Sequence, residues 1–346
     1  MPSAAPRLLS AAFPLILLQA CASTPTDRLL VCNKQDASVS IFDPATRQPI
    51  AVLPTGEGPH EVAIAPDGRT AVVSDYGAQR PGSTLTVIDL VECKVLRTIE
   101  LHDTVLGDDG QEKQRLLLRP HGSAFLDATH LVVTSEMARR LVIVDLAAGR
   151  VERCLTTPQT TMHMVALSPN RRCAFATSIR EGNVALFALD GTEPPLIVAT
   201  GDGAEGLAVN PVSGEAWVGN RAADTLSVID MAGRVVFQTD TGDFPFRVAF
   251  SHGGDRALVT CAESGDVHVY DARTKDLVGV IEISGDASEL SPMPMGITVD
   301  PDSRFAYVAC GRGEFVAVLD LEQRKVIDRI AARPGPDGIG YARFVR

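Results

Sequence analysis

A four-strand pattern that recurs about every 40 residues constrains the fold of this chain more than any other feature. Its clearest landmark is a short extended segment that ends in Asp at a turn. The seven copies end at Asp43, Asp89, Asp145, Asp190, Asp230, Asp271 and Asp320, and the copy at Asp190 is degenerate. Because an Asp carboxylate can accept backbone N–H groups and nucleate a turn, all seven are interpreted as structural.

A second landmark precedes each of these segments and consists of two apolar strands around a tight turn. In PHEVAIAPDGRTAVVSD, residues 59–75, the turn is Pro-Asp-Gly. Together the two landmarks predict units of four short strands, labelled A to D from the inside outward and joined by Gly, Pro, Asp or Asn turns.

The two ends of the chain carry complementary parts of one unit. Residues 29–55 supply strands B, C and D without an A strand, and residues 336–346 supply an A strand with nothing after it. Joining them closes a ring and removes two sheet edges that would otherwise template aggregation. The sequence therefore predicts an all-β, seven-bladed β-propeller over residues 29–346, closed by N-terminal strands B–C–D and C-terminal strand A.

Composition excludes one class of partner. The net charge is −11, and the chain has no run of Lys and Arg that could replace the counterions of phosphates. We therefore expect no nucleic acid ligand.

Residues 1–22 predict an export signal, followed by a short linker at 23–28. The apolar stretch Leu8–Leu18 follows Arg7 and is too short to span a bilayer stably. It ends in Leu-Gln-Ala-Cys, which resembles a bacterial lipobox with Cys21 as the lipidated residue. The alternative is ordinary signal-peptidase cleavage after Ala22. Either route places the protein in the periplasm or at the outer membrane. Lipidation of Cys21 would give it a lipid anchor as its only membrane contact, whereas ordinary cleavage would leave it without one.

The repeats resemble those of a known family. PHEVAIAPDGRTAVVSD and AYVACGRGEFVAVLDLEQRKVIDRI resemble YVTN-type propeller repeats, and are similar to those of the haem d1 domain of cytochrome cd1, the methylamine dehydrogenase heavy chain and lactonase-like propellers. The resemblance covers residues 29–346 and implies the fold more than a function, since such propellers host many activities. The chain has no C-x-x-C-H motif for covalent haem, no phosphate-binding glycine loop and no G-x-S-x-G elbow.

Aligned A strands predict which residues surround the mouth of the central channel. The first channel positions are His60, His121, His163, Glu205, Phe246, Met295 and Asp337. The unusually long separations between them contain insertions at Gly77–Ser83, Leu101–Arg119 and Ser284–Pro294. All three are expected on the face of the mouth, which indicates a binding face.

Three histidines and a glutamate on four consecutive blades permit several kinds of chemistry. His60, His121, His163 and Glu205 are suitable ligands for a divalent metal such as Zn, Fe, Cu or Mn. Alternatively, His121 and His163 with Glu205 exchange protons without a metal. A third interpretation is a water-filled channel whose polar residues are only structural.

Further charged residues are expected around the mouth. Tyr76, Arg180, Arg221 and Arg312 follow the ends of B strands, and with His60 and Asp337 they are predicted to bind a ligand. Arginine suits bidentate contact with a carboxylate or phosphate. The alternative is that these side chains are solvated loop tips. Arg247, next to a channel position, is predicted to turn into the packing of its blade.

Two functions follow, and the first is favoured because no catalytic motif is complete. The first is an exported, monomeric, non-catalytic propeller that binds a small anionic molecule or an envelope protein at the inserted-loop face. The second, implied by the resemblance, is a lactonase-like hydrolase, lyase or isomerase in which His121 or His163 is the acid or base, Glu205 is a base or metal ligand, and an arginine clamps the anion.

The cysteines within the repeats are expected to be structural and unpaired. They are Cys32, Cys93, Cys154, Cys173, Cys261 and Cys310, and none forms a C-x-x-C pair. Cys261 and Cys310 occupy equivalent places on adjacent blades, which leaves a soft metal or a disulfide there as the alternative.

Overall fold

The structure, a computed structural model, describes residue 1 and residues 25–106, 109–284 and 290–345. Most of the predicted export signal, including Cys21, lies outside the described residues. Among the residues described, no helix is long and apolar enough to cross a membrane.

Seven four-stranded antiparallel sheets form the blades of a propeller, as predicted. Blade 7 contains β1 (Pro25–Asn33), β2 (Ser38–Phe42), β3 (Pro49–Pro54) and, from the C-terminus, β30 (Pro336–Val345). Blade 1 contains β4 (Pro59–Ile64), β5 (Thr70–Gly77), β6 (Pro81–Asp89) and β7 (Lys94–Glu100). A separate hairpin follows, made of β8 (His102–Leu106) and β9 (Glu112–Leu116).

The remaining blades follow in chain order. Blade 2 contains β10 (Pro120–Phe125), β11 (His130–Ser135), β12 (Arg140–Asp145) and β13 (Arg150–Thr156). Blade 3 contains β14 (Met162–Leu167), β15 (Cys173–Ser178), β16 (Asn183–Ala188) and β17 (Leu196–Ala199). Blade 4 contains β18 (Ala204–Val209), β19 (Ala216–Asn220), β20 (Thr225–Ile229) and β21 (Val235–Asp240). Blade 5 contains β22 (Pro245–Phe250), β23 (Arg256–Cys261), β24 (Asp266–Asp271) and β25 (Leu277–Glu282). Blade 6 contains β26 (Pro294–Val299), β27 (Phe305–Cys310), β28 (Phe315–Asp320) and β29 (Lys325–Ala331).

The ring closes through blade 7. Strand β30 pairs with β1 in the antiparallel register Leu29↔Tyr341, and each innermost strand contacts the next around the circle. The predicted linker at 23–28 is wrong in part, because β1 begins at Pro25, which pairs with Val345. Residues 25–28 form strand because they satisfy the backbone groups of the long C-terminal strand, although their polar sequence shows no apolar alternation.

The core lies between the faces of neighbouring blades. Strands B and C are buried on both sides, and each apolar cluster joins two adjacent blades. Between blades 4 and 5, for example, Trp217 packs edge-on against Tyr270 with ring centroids 5.9 Å apart. Burial on both faces explains why these strands are continuous runs of Val, Ile, Leu and Ala.

The loops that join strands D to A and strands B to C lie on one face of the disc. Their backbones are hydrogen bonded to each other in several blades, as in Tyr76 N–H to Gly58 O, Glu136 N–H to Arg119 O and Arg312 N–H to Pro292 O. The insertions at Gly77–Ser83 and Leu101–Arg119 therefore share a face, and the described part of Ser284–Pro294 joins them. Residues 285–289 of that third insertion lie outside the described residues.

The turn role predicted for Asp is confirmed at six of the seven positions. The carboxylates of Asp43, Asp89, Asp145, Asp230, Asp271 and Asp320 accept backbone N–H groups two to four residues further along the chain. Asp190, in the degenerate copy, is exposed and instead forms an ion pair with Arg172 at 3.4 Å.

Candidate functional site

Three imidazoles meet at the channel mouth, one from the inner strand of each of blades 1, 2 and 3. The ring centroids of His60 and His121 are 4.2 Å apart, and those of His121 and His163 are 3.6 Å apart. All three side chains, called here the imidazole cluster, are buried, and His121 has no exposed surface. A water-filled channel therefore does not exist at the position of His121.

A carboxylate lies at each end of the imidazole cluster. His163 Nε2 is 3.2 Å from Glu205 Oε1, and His60 Nδ1 is 3.0 Å from Asp337 Oδ2. The Lys34 ammonium connects the second pair, since it donates to His60 Nε2 at 2.8 Å and lies 3.2 Å from Asp337 Oδ2. The aligned A strands thus bring the predicted residues His60, His121, His163, Glu205 and Asp337 together.

An ion pair crosses the channel beneath the mouth. Arg247 on blade 5 reaches Glu61 on blade 1, with 3.2 Å between its Nε and Glu61 Oε1, and its Nη1 lies 3.3 Å from Glu205 Oε1. The prediction that Arg247 turns into the packing of its blade is wrong. The inner strands shift register here, between Pro59 and Glu61 in β4 and at the matching place in β22, and such a bulge re-aims the side chain.

The residues that sequence reasoning missed at this site carry a recognisable signal. At the position of Glu61 and Arg247, four other inner strands have glycine, namely Gly122, Gly206, Gly296 and Gly338. A Cβ on Gly338 would lie 2.2 Å from the backbone oxygen of His60, so the neighbouring strand leaves little room for a side chain at this point. An acidic and a basic residue, Glu61 and Arg247, at a position where most inner strands have glycine could have indicated an ion pair.

A tyrosine covers the imidazole cluster. The Tyr76 ring stands edge-on to both His60 and His121, with centroids 5.3 Å from each, and its hydroxyl donates to Glu136 Oε2 at 2.5 Å. Glu136 Oε1 in turn lies 3.8 Å from His163 Nδ1. Tyr76 is therefore at the site, as predicted, and Glu136 joins it.

The predicted arginines separate into two groups. Arg221 forms an ion pair with Glu205 and belongs to the site. Arg180 is exposed, and Arg312 is exposed and donates to the backbone oxygen of Ser291 at 2.6 Å. Neither Arg180 nor Arg312 enters the buried cluster, because the B–C loops direct both toward solvent.

The buried charges differentiate the three histidines. Burial, followed by the Lys34 charge, lowers the pKa of His60 to about 3. Burial and the neighbouring imidazoles also lower the pKa of His121 well below its usual value. Burial has the same tendency at His163, but Glu205 and Glu136 outweigh it and raise its pKa. At neutral pH, therefore, His60 and His121 are uncharged and can donate lone pairs.

The metal ligands offered by the site differ from the predicted set. Donor atoms of His60, Glu61 and His121 all lie within 4.8 Å of one another, whereas His163 and Glu205 are engaged as an ion pair. Both ring nitrogens of His121 are buried without a hydrogen-bond partner. Imidazole nitrogens and a carboxylate oxygen suit a divalent transition metal, which would share Glu61 with Arg247.

A cavity of about 750 Å³ opens beside the imidazole cluster and is called here the mouth cavity. Lys34 and Asp337 line its polar side, Met293 and Met295 its apolar side, and Arg312 also borders it. It is bordered by blades 6, 7 and 1, so the charged groups of the cluster lie at its edge.

Comparison with solved structures shows the same architecture elsewhere. A functionally unknown protein from Desulfotomaculum acetoxidans matches with a TM-score of 0.73 at 15% identity, over 91% of this chain and 98% of that chain. Hydrazine synthase from Kuenenia stuttgartiensis matches with a TM-score of 0.66 at 18% identity, over 81% of this chain and 88% of that chain. No protein-family model and no curated protein sequence matches the chain. At these identities the structural matches show that the chain has the fold of a seven-bladed β-propeller, and nothing about its activity.

Proposed function

We propose that this protein is a YVTN-type propeller that binds a small carboxylate- or phosphate-bearing molecule in the mouth cavity. The observation that carries the proposal is the cavity itself, which combines apolar walls with a lysine ammonium beside buried titratable groups. Its volume is within the range of small-molecule sites, and a few polar groups on a largely apolar surface are typical of them.

Two cations at the mouth cavity are suited to hold an anion. Lys34 and Arg312 contribute them to its lining, beside the carboxyl groups of Glu57 and Asp337. Burial raises the pKa of Asp337, despite the opposing charges of Lys34 and Arg247. The Lys34 ammonium beside it can donate a charged hydrogen bond to a carboxylate or phosphate oxygen of a ligand.

Calorimetric titration with a panel of small carboxylates and phosphate esters tests this proposal. Lys34→Met should weaken binding of the best ligand by about 10-fold or more, because one charged hydrogen bond contributes about 1.5–3 kcal/mol. Arg180→Met removes an exposed arginine outside the buried cluster and is the matched control. The proposal is contradicted if the unsubstituted protein binds no member of the panel, or if Arg180→Met weakens binding as much as Lys34→Met does.

A second candidate function is favoured by the unpartnered nitrogens of His121. A lactonase-like hydrolase, lyase or isomerase needs a neutral imidazole near a carboxylate or a metal, and His60, Glu61 and His121 are arranged for either role. The assay measures turnover of a panel of lactones, with and without added Zn²⁺ or Mn²⁺. A rate that falls at least 100-fold in His121→Leu supports catalysis. The exposed His252→Gln is the control, and absence of turnover in the unsubstituted protein rejects this candidate.

We also infer that the chain is exported and anchored by lipid on Cys21, because its leader combines an arginine, a short apolar stretch and a lipobox-like end. Membrane fractionation and mass spectrometry of the mature N-terminus test this. Cys21→Ser should release the protein from the membrane fraction. A mature chain that begins beyond Cys21 would instead support ordinary signal-peptidase cleavage.

A further inference from the structure

A second cluster of metal-ligand side chains lies in blade 5, away from the imidazole cluster. Cys261, the last residue of β23, pairs directly with Asp266, the first residue of β24. His268 follows Asp266 by two residues, so it faces the same side of the sheet. The donor atoms of these three side chains all lie within 4.8 Å of one another.

This cluster faces blade 4 and is covered by a loop. Cys261 belongs to the apolar cluster that contains Trp217 of blade 4. The loop from blade 4 to blade 5 passes over the thiol, since a Cβ on Gly242 would lie 3.1 Å from Cys261 Sγ. The site therefore lies between two packed blades, with a backbone close above it.

Asp266 has a buried carboxylate oxygen with no hydrogen-bond partner. The residue is 8% exposed, and its unpartnered Oδ1 points toward His268, 3.5 Å from Nε2. The ionised groups that act on Asp266 are Glu282, its partner across the sheet, and Asp243, both of the same sign. The Cys261 thiol also hydrogen bonds to this carboxyl group. A buried carboxylate with acidic neighbours is nevertheless costly, and a bound cation would offset that cost.

The same three positions are satisfied internally in other blades. In blade 7, Asn33 donates to Ser38 and Ser40, both at 2.9 Å. In blade 4, Asn220 donates in the same way to Thr225 and Ser227, and in blade 1, Asp75 accepts from Thr84 and Thr86. Blade 5 replaces this hydrogen-bonded trio with a thiol, a carboxylate and an imidazole, all of which are metal ligands.

We propose that Cys261, Asp266 and His268 bind a zinc ion, with water as the fourth ligand. Zinc prefers thiolate sulfur, imidazole nitrogen and carboxylate oxygen in a tetrahedral arrangement. The thiol of Cys261 releases its proton on binding, so thiolate and carboxylate together neutralise the ion. The site is independent of the mouth cavity, so either can fail without the other.

Cobalt substitution of the chelator-treated protein tests this site. Co²⁺ should give a thiolate-to-cobalt charge-transfer band with the intense visible absorption of a tetrahedral ion, at one equivalent per chain, and Zn²⁺ should displace it. Cys261→Ser should abolish the charge-transfer band. Cys310→Ser is the matched control, because Cys310 occupies the same place on blade 6 but pairs with Phe315.

Two further measurements complete the test. Metal added to a His121→Leu variant should give the same charge-transfer band, because the imidazole cluster contains no thiol. Added Zn²⁺ should raise the melting temperature of the Cys310→Ser protein and leave that of Cys261→Ser unchanged. No thiolate band in the unsubstituted protein, or a band that survives in Cys261→Ser, overturns the proposal.

Discussion

Equivalent histidines on adjacent strands acquire different properties from their immediate neighbours. His163 lies between Glu205 and Glu136, His60 contacts both Lys34 and Asp337, and His121 packs against the other two imidazoles and the Tyr76 ring. The carboxylates of Glu205 and Glu136 raise the pKa of His163, whereas burial outweighs the other influences at His60 and His121 and lowers the pKa of both. His60 and His121 are therefore neutral bases at pH 7.

The stability of the protein should therefore decrease in mild acid. A histidine whose pKa is about 3 in the native state and about 6.5 when unfolded takes up a proton on unfolding between these values. Its contribution is complete above pH 6.5 and is lost as the pH falls toward 3. Between pH 7 and pH 5, His60 alone should reduce the free energy of unfolding by about 2 kcal/mol.

Urea unfolding of His60→Gln at the two pH values tests this contribution. Glutamine can still accept a hydrogen bond from Lys34 but does not titrate. The difference in the free energy of unfolding between pH 7 and pH 5 should therefore be smaller by about 2 kcal/mol than in the unsubstituted protein. His252→Gln, an exposed change, should leave the difference unaltered. An identical pH dependence in all three proteins would mean that His60 is not buried in its neutral form.

The members of the imidazole cluster could be predicted from sequence, but the hydrogen bonds and ion pairs around them could not. Aligning the repeats placed His60, His121 and His163 at one level of the channel, because residues at equivalent places on inner strands must converge. Arg247 was misassigned because a register shift decides where its side chain points, and the charge pattern at this glycine-rich position was overlooked. Arg312 borders the mouth cavity, but Arg180 is exposed outside the buried cluster, which could not be predicted because loop direction cannot be derived from spacing.

At the scale of the strand and turn, one aspartate accepts backbone hydrogen bonds in six of the seven repeats. Asp145 accepts a backbone N–H from Ala148 at 2.8 Å, whereas Asp190 at the matching place is exposed and forms an ion pair. The exposed ion pair should contribute little, because solvent screens it. The hydrogen bond to Asp145, by contrast, holds the turn between two strands, and it takes the place of a hydrogen bond from the backbone N–H to water.

Alanine substitution separates these two roles. Asp145→Ala should lower the free energy of unfolding by about 1 kcal/mol, since it removes a side-chain cap of the turn. Asp190→Ala should change it by less than about 0.5 kcal/mol. Chemical denaturation monitored by circular dichroism measures both. Equal effects would show that the turn aspartates have no special structural role.

Apolar alternation revealed most strands but not all. The four-strand units were predictable because strands B and C are buried on both faces and consist of runs of Val, Ile, Leu and Ala. The hairpin β8–β9 and the first residues of β1 are polar and largely exposed, so only backbone pairing defines them. The hydrophobic pattern of the sequence indicates which residues are buried, so it does not predict strands that are polar and exposed.

At the scale of the whole molecule, closure of the ring joins the ends of the described chain. Pro25 and Val345 are cross-strand partners in blade 7, so a short turn could connect them without altering either strand. Removal of residues 336–345 would instead leave blade 7 without its inner strand. The fold should therefore tolerate a change in chain order but not the loss of this strand.

A circular permutant tests the importance of closure. Residue 345 is joined to residue 25 by a short Gly-rich linker, and new ends are placed between β8 and β9. This protein should keep the circular dichroism spectrum and lie within a few degrees of the original melting temperature. A chain truncated after residue 335 should aggregate or lose cooperative unfolding, because the inner edge of β1 loses its partner strand and becomes unpaired. Cooperative unfolding of the truncated chain would contradict this view of the ring.

The ion pair across the channel is a second whole-molecule feature, since Arg247 and Glu61 belong to blades that are not neighbours. Arg247→Met should cost about 3–5 kcal/mol, because it leaves buried carboxylates without their counterion. Combining it with Glu61→Gln should recover part of that loss in a double-mutant cycle. Arg234→Met, at an exposed ion pair, is the control. Strictly additive effects of the two buried changes would contradict a direct interaction.

This bridge also bears on the route of a molecule bound in the mouth cavity. Arg247 and Glu205 are almost completely buried, and Arg247 reaches Glu61 from a blade that is not its neighbour, so these side chains occupy the channel at that level. The mouth cavity is bordered by the B–C and D–A loops of blades 6, 7 and 1. Substitutions in the described part of those loops should therefore slow or hasten the association and the dissociation of a ligand together.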